Sequence, residues 1–319
     1  MGDASPESGA SGLDGHDRIG QGSTMTAIDL PAPGAVLRGV GLYVGAVFVG
    51  ACMDVLIKLA SDAHPISQIV FFRSFFGLVP LLLWAVPRGG WRSLVPRRPV
   101  ACLSRGLVQA AAALFFFLSF RELPLADAYA IGFTAPLMIA LLSAPLLGER
   151  VGGRRWAAIL VGFAGVLVML KPGGEGTFSL GALAALAGAF FYALSAVLIR
   201  RLSREETTAA IAVSATVTMA GVSALSAPLG WTLPDLAGWT LLVGVGLLGG
   251  VLTILFTAAF RMAPASVLAP FEYTAMLWGV GFGMAVWGDM PTLGLAAGSA
   301  IVVGSGLALL RAEAKDAPK

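Results

Sequence analysis

Five charged residues fall inside long apolar runs of this 319-residue chain: Asp54, Lys58, Arg73, Arg105 and Glu272. A charge in such a run is expensive in a bilayer, and it is retained where it pairs, meets water or meets a ligand. At 1.5 Å per helical residue, Glu272 stands roughly 12 Å in from Pro264 and Arg73 roughly 12 Å in from Pro65. Both are then near the middle of a hydrocarbon core about 30 Å thick. Two readings arise: a permanent Arg73–Glu272 ion pair, or a place for at least one of them on a ligand or coupling path. An arginine fork fits a carboxylate, and a deep carboxylate takes an ammonium group or a proton. Arg105 is roughly 9 Å from the nearer end of its run, with Gln109 one turn deeper on the same face. It either joins such a site or snorkels to the headgroups. Asp54 and Lys58, at i and i+4, either neutralise each other or leave Asp54 as a second proton site while Lys58 snorkels. Tyr129 and Thr134 can present hydroxyls. For these, and for Tyr43, Tyr192 and Tyr273, an interhelical hydrogen bond is the plainer use. The expected binding set is therefore Arg73, Arg105, Gln109, Tyr129, Thr134 and Glu272, with Glu272 and Asp54 as coupling candidates.

Other chemistries lack their residues. Cys52 and Cys102 sit in apolar runs and read as small buried hydrophobes. His16 and His64 both lie outside those runs, so no histidine-based zinc site, triad or haem ligand is expected, and neither a metal nor a cofactor. There is no G-x-x-x-x-G-K-[ST] run, so work across a membrane has to draw on gradients. No apolar run carries paired carboxylates, His-x-x-x-Asp or a Ser–His constellation, which disfavours a membrane-embedded enzyme. The lack of a soluble output domain disfavours a sensor.

The elements that must position these charges are membrane helices. Apolar residues make up 57 % of the chain and charged residues 12 %, against roughly 25 % charged in soluble domains. Mean hydropathy is +0.84. This excludes a soluble enzyme, a nucleic-acid binder and a secreted disulfide scaffold. Ten apolar stretches of spanning length follow one another at about 38–60, 66–86, 100–120, 125–147, 154–171, 179–200, 207–227, 237–260, 265–287 and 292–310. Pro124 and Pro264 mark helix restarts between the third and fourth and between the eighth and ninth. Residues 1–37 are rich in Gly, Ser, Asp and Pro and read as a disordered cytoplasmic tail; Met25 offers an alternative start. Residues 312–319 form a second cytoplasmic tail. With the N-terminus inside, sixteen of the 21 Lys and Arg lie in inside segments, and only Arg121 and Lys171 lie outside. The positive-inside rule therefore places both termini in the cytoplasm.

The chain also repeats. Val55–Ser61 resembles Val197–Ser203 at an offset of 142. At an offset of 140, Phe120-Arg121-x-x-Pro124 matches Phe260-Arg261-x-x-Pro264, Thr134-Ala135 matches Thr274-Ala275, and Gly148-Glu149 matches Gly288-Asp289. Two halves of five helices, 38–171 and 179–311, must be inverted relative to each other because five is odd. That architecture places a binding site near the midplane between the halves. Asp54, Arg73, Arg105 and Glu272 have no charged repeat partners, so the shared scaffold does not require them.

The run FFRSFFGLVPLLL, the segment LPLADAYAIGFTAPLMIALLSAPLLGER with its mid-helix Pro136, and APFEYTAMLWGVGFGMAVWGD resemble the drug/metabolite transporter superfamily of the EamA type. The second copy departs from the pattern, with Met276 in place of the proline and Asp289 in place of the glutamate. The resemblance implies an all-α fold of ten transmembrane helices as two inverted repeats in a bacterial cytoplasmic membrane. It also implies a secondary carrier of small metabolites, often an exporter; the deep Arg and Glu charges make small polar ones, amino acids or related compounds, the first expectation. An organic-anion or S-adenosylmethionine-type carrier is the alternative, and protons are a candidate coupling ion. Gly41–Gly45, Gly246–Gly250, Gly279–Gly283 and Gly294–Gly298 are G-x-x-x-G pairs suited to close helix approach, sliding or dimerisation. Phe71, Phe72, Phe75, Phe76, Phe115, Phe116 and Phe117 read mainly as lipid-facing or core filler.

Overall fold

A computed structural model describes residues 33–147, 153–170, 179–203, 205–262, 268 and 271–316. Met25, Gly148-Glu149, Lys171 and Pro264 lie outside the described residues. The described residues form helices joined by turns and short irregular segments, without strands. In chain order the helices are α1 (Pro33–Ser61), α2 (Ile66–Gly89), α3 (Pro99–Glu122), α4 (Leu125–Gly132), α5 (Ala135–Leu147), α6 (Gly153–Leu170), α7 (Leu180–Leu202), α8 (Thr208–Ala224), α9 (Leu236–Met262), α10 (Thr274–Phe282) and α11 (Leu293–Asp316). Among the described residues, six segments are long and apolar enough to cross a membrane: Val36–Ser61, Ile66–Gly89, Pro99–Glu122, Leu125–Ser143, Leu180–Ile199 and Leu236–Phe260. Four further apolar helices are shorter: Trp156–Val168, Thr208–Ala224, Thr274–Trp287 and Leu293–Ala308.

Local chemistry explains the starts. Ser179 and Thr207 cap α7 and α8, accepting from the amides of Ala182 (3.2 Å) and Ala210 (3.0 Å). Asp235 accepts from Gly238 N at the start of α9 (2.7 Å). Pro99 occupies the first turn of α3, where a missing amide hydrogen costs nothing.

The fourth apolar stretch is expected as one helix and is instead two. The chain turns at Phe133 and Thr134 between α4 and α5. Pro136 has no amide hydrogen and its ring would meet the carbonyl of Gly132 in a continuous helix. The Thr134 hydroxyl donates to the carbonyl of Ile131 at 2.7 Å. The ninth stretch, without a proline at the matching position, is interrupted too: Tyr273 turns and α10 begins at Thr274. Thr274 donates to Phe271 O at 2.6 Å. Both breaks thus carry a threonine bonded to the carbonyl three residues back, a bond that Ser119, Ser214 and Thr240 also make inside unbroken helices. The two breaks meet, with the Phe133 and Tyr273 rings 5.1 Å apart and edge-to-face.

The principal neighbours are α1 with α9, α3 with α7, α6 with α11, α2 with α9, α2 with α8 and α3 with α8. Glycines allow several of these approaches. A methyl at Gly246 would come within 2.4 Å of Phe76 Cβ and 2.9 Å of Phe72 O, and one at Gly250 within 2.7 Å of Gly77 O. The Gly246–Gly250 pair is thus an α2–α9 contact inside the chain. Around Gly41 and Gly45 an added methyl meets nothing within 4 Å. Gly246→Val should therefore lower the melting temperature of detergent-purified protein sharply, since overpacking costs about 1–3 kcal/mol, whereas Gly41→Val should leave it unchanged. Equal melting temperatures for the two variants would refute this account of the interface.

Candidate functional site

The two helix breaks, α1, α2, α3, α7 and α9 surround a cavity of about 280 Å³. Its polar wall carries Asp54, Arg73, Gln109, Tyr129, Tyr192 and Glu272. Its apolar wall is aromatic, with Phe116, Phe117, Phe120, Phe133 and Phe256. Five of the seven expected site residues thus come together here: Asp54, Arg73, Gln109, Tyr129 and Glu272. Arg105 lines an adjoining cavity, and Thr134 lines neither. Thr134 is fully buried, and its hydroxyl is engaged in the break between α4 and α5.

Arg73 projects from α2 past Gly249 of α9, where a Cβ would stand 3.5 Å from its side chain. Its guanidinium carbon lies 5.9 Å from the centre of the Phe117 ring, within cation–π range. Its Nε is buried and has no hydrogen-bond partner. Among the described residues Arg73 and Glu272 make no ion pair within 4.0 Å. The permanent Arg73–Glu272 pair is therefore not what the structure contains. The carboxylate whose field Arg73 feels is Asp54, and Asp54 accepts the Tyr129 hydroxyl at 2.7 Å. Across the cavity Glu272 has no hydrogen bond or ion pair among the described residues; the tyrosines Tyr43, Tyr192 and Tyr273 lie in its field.

Asp54 and Lys58 do not neutralise each other. Lys58 does not snorkel either: its Nζ donates to Leu123 O at 2.6 Å and stands 4.9 Å from the Trp287 ring centre. It ties α1 to the α3–α4 junction and to the segment after α10. Gln68 exchanges hydrogen bonds with the backbone of Thr232 (2.8 and 3.1 Å), and His64 Nδ1 pairs with the Thr232 hydroxyl (2.7 Å) at the same end.

A second cavity of about 510 Å³ shares Arg73, Gln109, Tyr192 and Phe256 with the first. It runs to Thr208 at the exposed start of α8 and to Phe260 near the end of α9. Arg105 on its wall is only 8 % exposed and faces inward, so it does not reach for headgroups. The structure thus holds a central chamber with a vestibule to one end. The end bearing Lys58, His64 and Gln68 is cross-tied.

Tyr192 and the phenylalanines are the site residues that sequence reasoning missed. Phe116 and Phe117, expected as filler, are part of the chamber wall. In a uniformly apolar helix the lipid-facing and chamber-facing sides have the same composition, so periodicity carries no signal for them. A signal for Tyr192 exists in retrospect, as a hydroxyl at mid-helix depth in an otherwise apolar stretch.

The chain matches the EamA-like transporter family at residues 37–171 and again at 179–311. It is 31 % identical over 277 residues to the pseudopaline exporter CntI of Pseudomonas aeruginosa, covering 86 % of this chain and 96 % of that one. It is 25 % identical over 277 residues to an S-adenosylmethionine uptake transporter of Rickettsia bellii, covering 87 % and 94 %. A protein of known crystal structure superposes with a TM-score of 0.63 at 24 % identity, covering 88 % of this chain and 99 % of that one, a likeness of fold.

Proposed function

From the premise that the chain belongs to the EamA-like transporter family and is a multi-pass membrane transporter of small metabolites, we propose that it exports amino acids or related zwitterions by alternating access. The observation that carries this reading is the placement of opposite charges, Arg73 and Glu272, on one chamber with no ion pair between them. Charges at such depth in a membrane protein are retained where they meet a partner, water or a ligand. Arg73 receives the substrate carboxylate and Glu272 its ammonium group. The phenylalanines between them accept an apolar or aromatic body. The alternative, an organic-anion or S-adenosylmethionine-type carrier, draws on the named relative and on Arg73 alone.

We place ten spans in two inverted halves, 38–171 and 179–311, in a bacterial inner membrane with both termini cytoplasmic. Support comes from the double family match and from the neighbour pattern: α1–α9 is answered by α3–α7, and α2–α9 by α3–α8. In that orientation the vestibule opens to the cytoplasm and the Lys58 tie closes the outer side. Glu272, with Asp54 as second candidate, carries the coupling proton.

The reading is tested by counterflow in proteoliposomes loaded with L-phenylalanine. External labelled L-phenylalanine should accumulate transiently. Labelled 3-phenylpropionate, which lacks the ammonium, and phenethylamine, which lacks the carboxylate, should each exchange at less than about a tenth of that rate, since each leaves a buried charge unpaired. Equal exchange of 3-phenylpropionate would replace the zwitterion by an organic anion.

A further inference from the structure

Arg105, Ser195 and Gln109 form a polarised chain at the neck between chamber and vestibule. Arg105 Nε donates to the Ser195 hydroxyl at 3.2 Å, and that hydroxyl donates to Gln109 Oε1 at 2.9 Å. Arg105 Nη2 donates to the same Oε1 at 3.2 Å. Arg105 Nη1 donates to the carbonyl of Ile211 on α8 at 3.1 Å. Ser195 is 1 % exposed and Arg105 is 8 % exposed. Arginine has no acceptor, so its partner on Gln109 must be the amide oxygen. Chemistry therefore settles which way the amide points: its oxygen is held by two donors and its NH2 group is left on the other side. Gln109 lines both cavities, as does Arg73.

We infer that the Gln109 NH2 group is a second donor to the substrate carboxylate and sets the preference for an acceptor-only group, while Arg105 is a positioning residue that acts through Gln109. This deepens the zwitterion reading and rests on it. Three of the five guanidinium hydrogens are committed to Ser195, Ile211 and Gln109, so the charge of Arg105 serves to lock the amide. A substrate carboxylate meets Arg73 and an NH2 dipole together. A carboxamide, which brings its own donors, meets one donor facing another.

The test measures Kd by titration calorimetry on the full-length detergent-purified protein, with L-phenylalanine and L-phenylalaninamide as probes. Wild type should bind the amino acid more tightly. Gln109→Glu keeps an oxygen toward Arg105 and Ser195, so the lock survives, but it turns an oxygen toward the substrate in place of NH2. Its Kd for L-phenylalanine should rise about tenfold or more, the scale of a hydrogen bond to a charged group. That for L-phenylalaninamide should not rise, because the new oxygen accepts from the carboxamide NH2. In a Gln109→Met background, Arg105→Lys should change the L-phenylalanine Kd less than twofold, because the residue through which it acts is gone. An unchanged Kd in Gln109→Glu, or an equal loss for both probes, would overturn the role of Gln109. A further tenfold loss from Arg105→Lys in the Gln109→Met background would make Arg105 a direct ligand and overturn its positioning role. If wild type binds neither probe, the zwitterion reading itself fails and this inference falls with it. Binding by wild type with failure only in the variants separates the two.

Discussion

Arg73→Ala should abolish exchange of a carboxylate substrate, with a loss of about 100-fold or more in exchange rate, the range seen when one partner of a desolvated charge pair is truncated. Arg73→Lys should restore little. Lysine keeps the charge but not the planar fork, and its compact ammonium is more strongly hydrated. The neighbouring geometry sharpens the expectation. Arg73 packs over Phe117 and beside Gly249, and its Nε has no protein partner. The substitution therefore removes the guanidinium from the chamber wall. Asp54 then loses the positive charge of Arg73, so some loss of stability is expected as well. The Arg73→Ala/Glu272→Ala double variant separates ligand binding from structural pairing. Were the two residues a structural pair, removing both would restore activity, because a buried pair destabilises mainly when one member is left alone. Since they stand more than 4.0 Å apart, the double variant should remain inactive. Exchange in proteoliposomes, beside melting temperature, measures both quantities on one preparation.

Glu272→Gln should separate binding from energy coupling. Glutamine preserves size and can accept a hydrogen bond from a substrate ammonium, but it cannot take up a proton near neutral pH. The variant should need more substrate, because the ammonium loses its counter-charge, but should still show counterflow at saturating L-phenylalanine. For one proton exchanged per substrate, a gradient of one pH unit supports about tenfold accumulation, since a pH unit corresponds to about 1.4 kcal/mol. Wild type should approach that ratio and Glu272→Gln should stay near one. The proton and the ammonium compete for the same carboxylate, so a proton arriving from outside helps to release the substrate there. Accumulation by Glu272→Gln at the wild-type level would remove Glu272 from coupling and leave Asp54, held by Tyr129, as the carboxylate to test.

Depth and charge made the site largely legible in the sequence. Arg73, Glu272, Asp54 and Gln109 stand out because polar groups in an apolar helix have few reasons to exist, and all four reach one chamber. Helix geometry alone placed Gln109 one turn from Arg105, and the two are hydrogen-bonded. Features that depend on a partner elsewhere in the chain were not legible. Whether Lys58 turns to Asp54, to the headgroups or to Leu123 O depends on where the α3–α4 junction lands. Thr134 has the right type and depth for a ligand, but its hydroxyl is taken by a carbonyl three residues back. The break at Tyr273 has no proline at the position that marks its counterpart, and its threonine bond is of a kind also found in unbroken helices. Phe116 and Phe117 differ from lipid-facing phenylalanines by what they face, which composition does not record.

If the chamber lined by Arg73 and Glu272 holds the substrate and opens through the vestibule to the cytoplasm, substrate should shield a thiol on its wall. Ala113 lines that chamber and is 7 % exposed. An Ala113→Cys variant in a Cys52→Ser/Cys102→Ser background reports on it through reaction with a membrane-impermeant thiol reagent in inside-out vesicles. Cys at this position should react, and saturating L-phenylalanine should slow the reaction about tenfold or more by occupying the same volume, as expected for a ligand that fills a preformed pocket. Labelling that proceeds at the same rate with and without L-phenylalanine would contradict it.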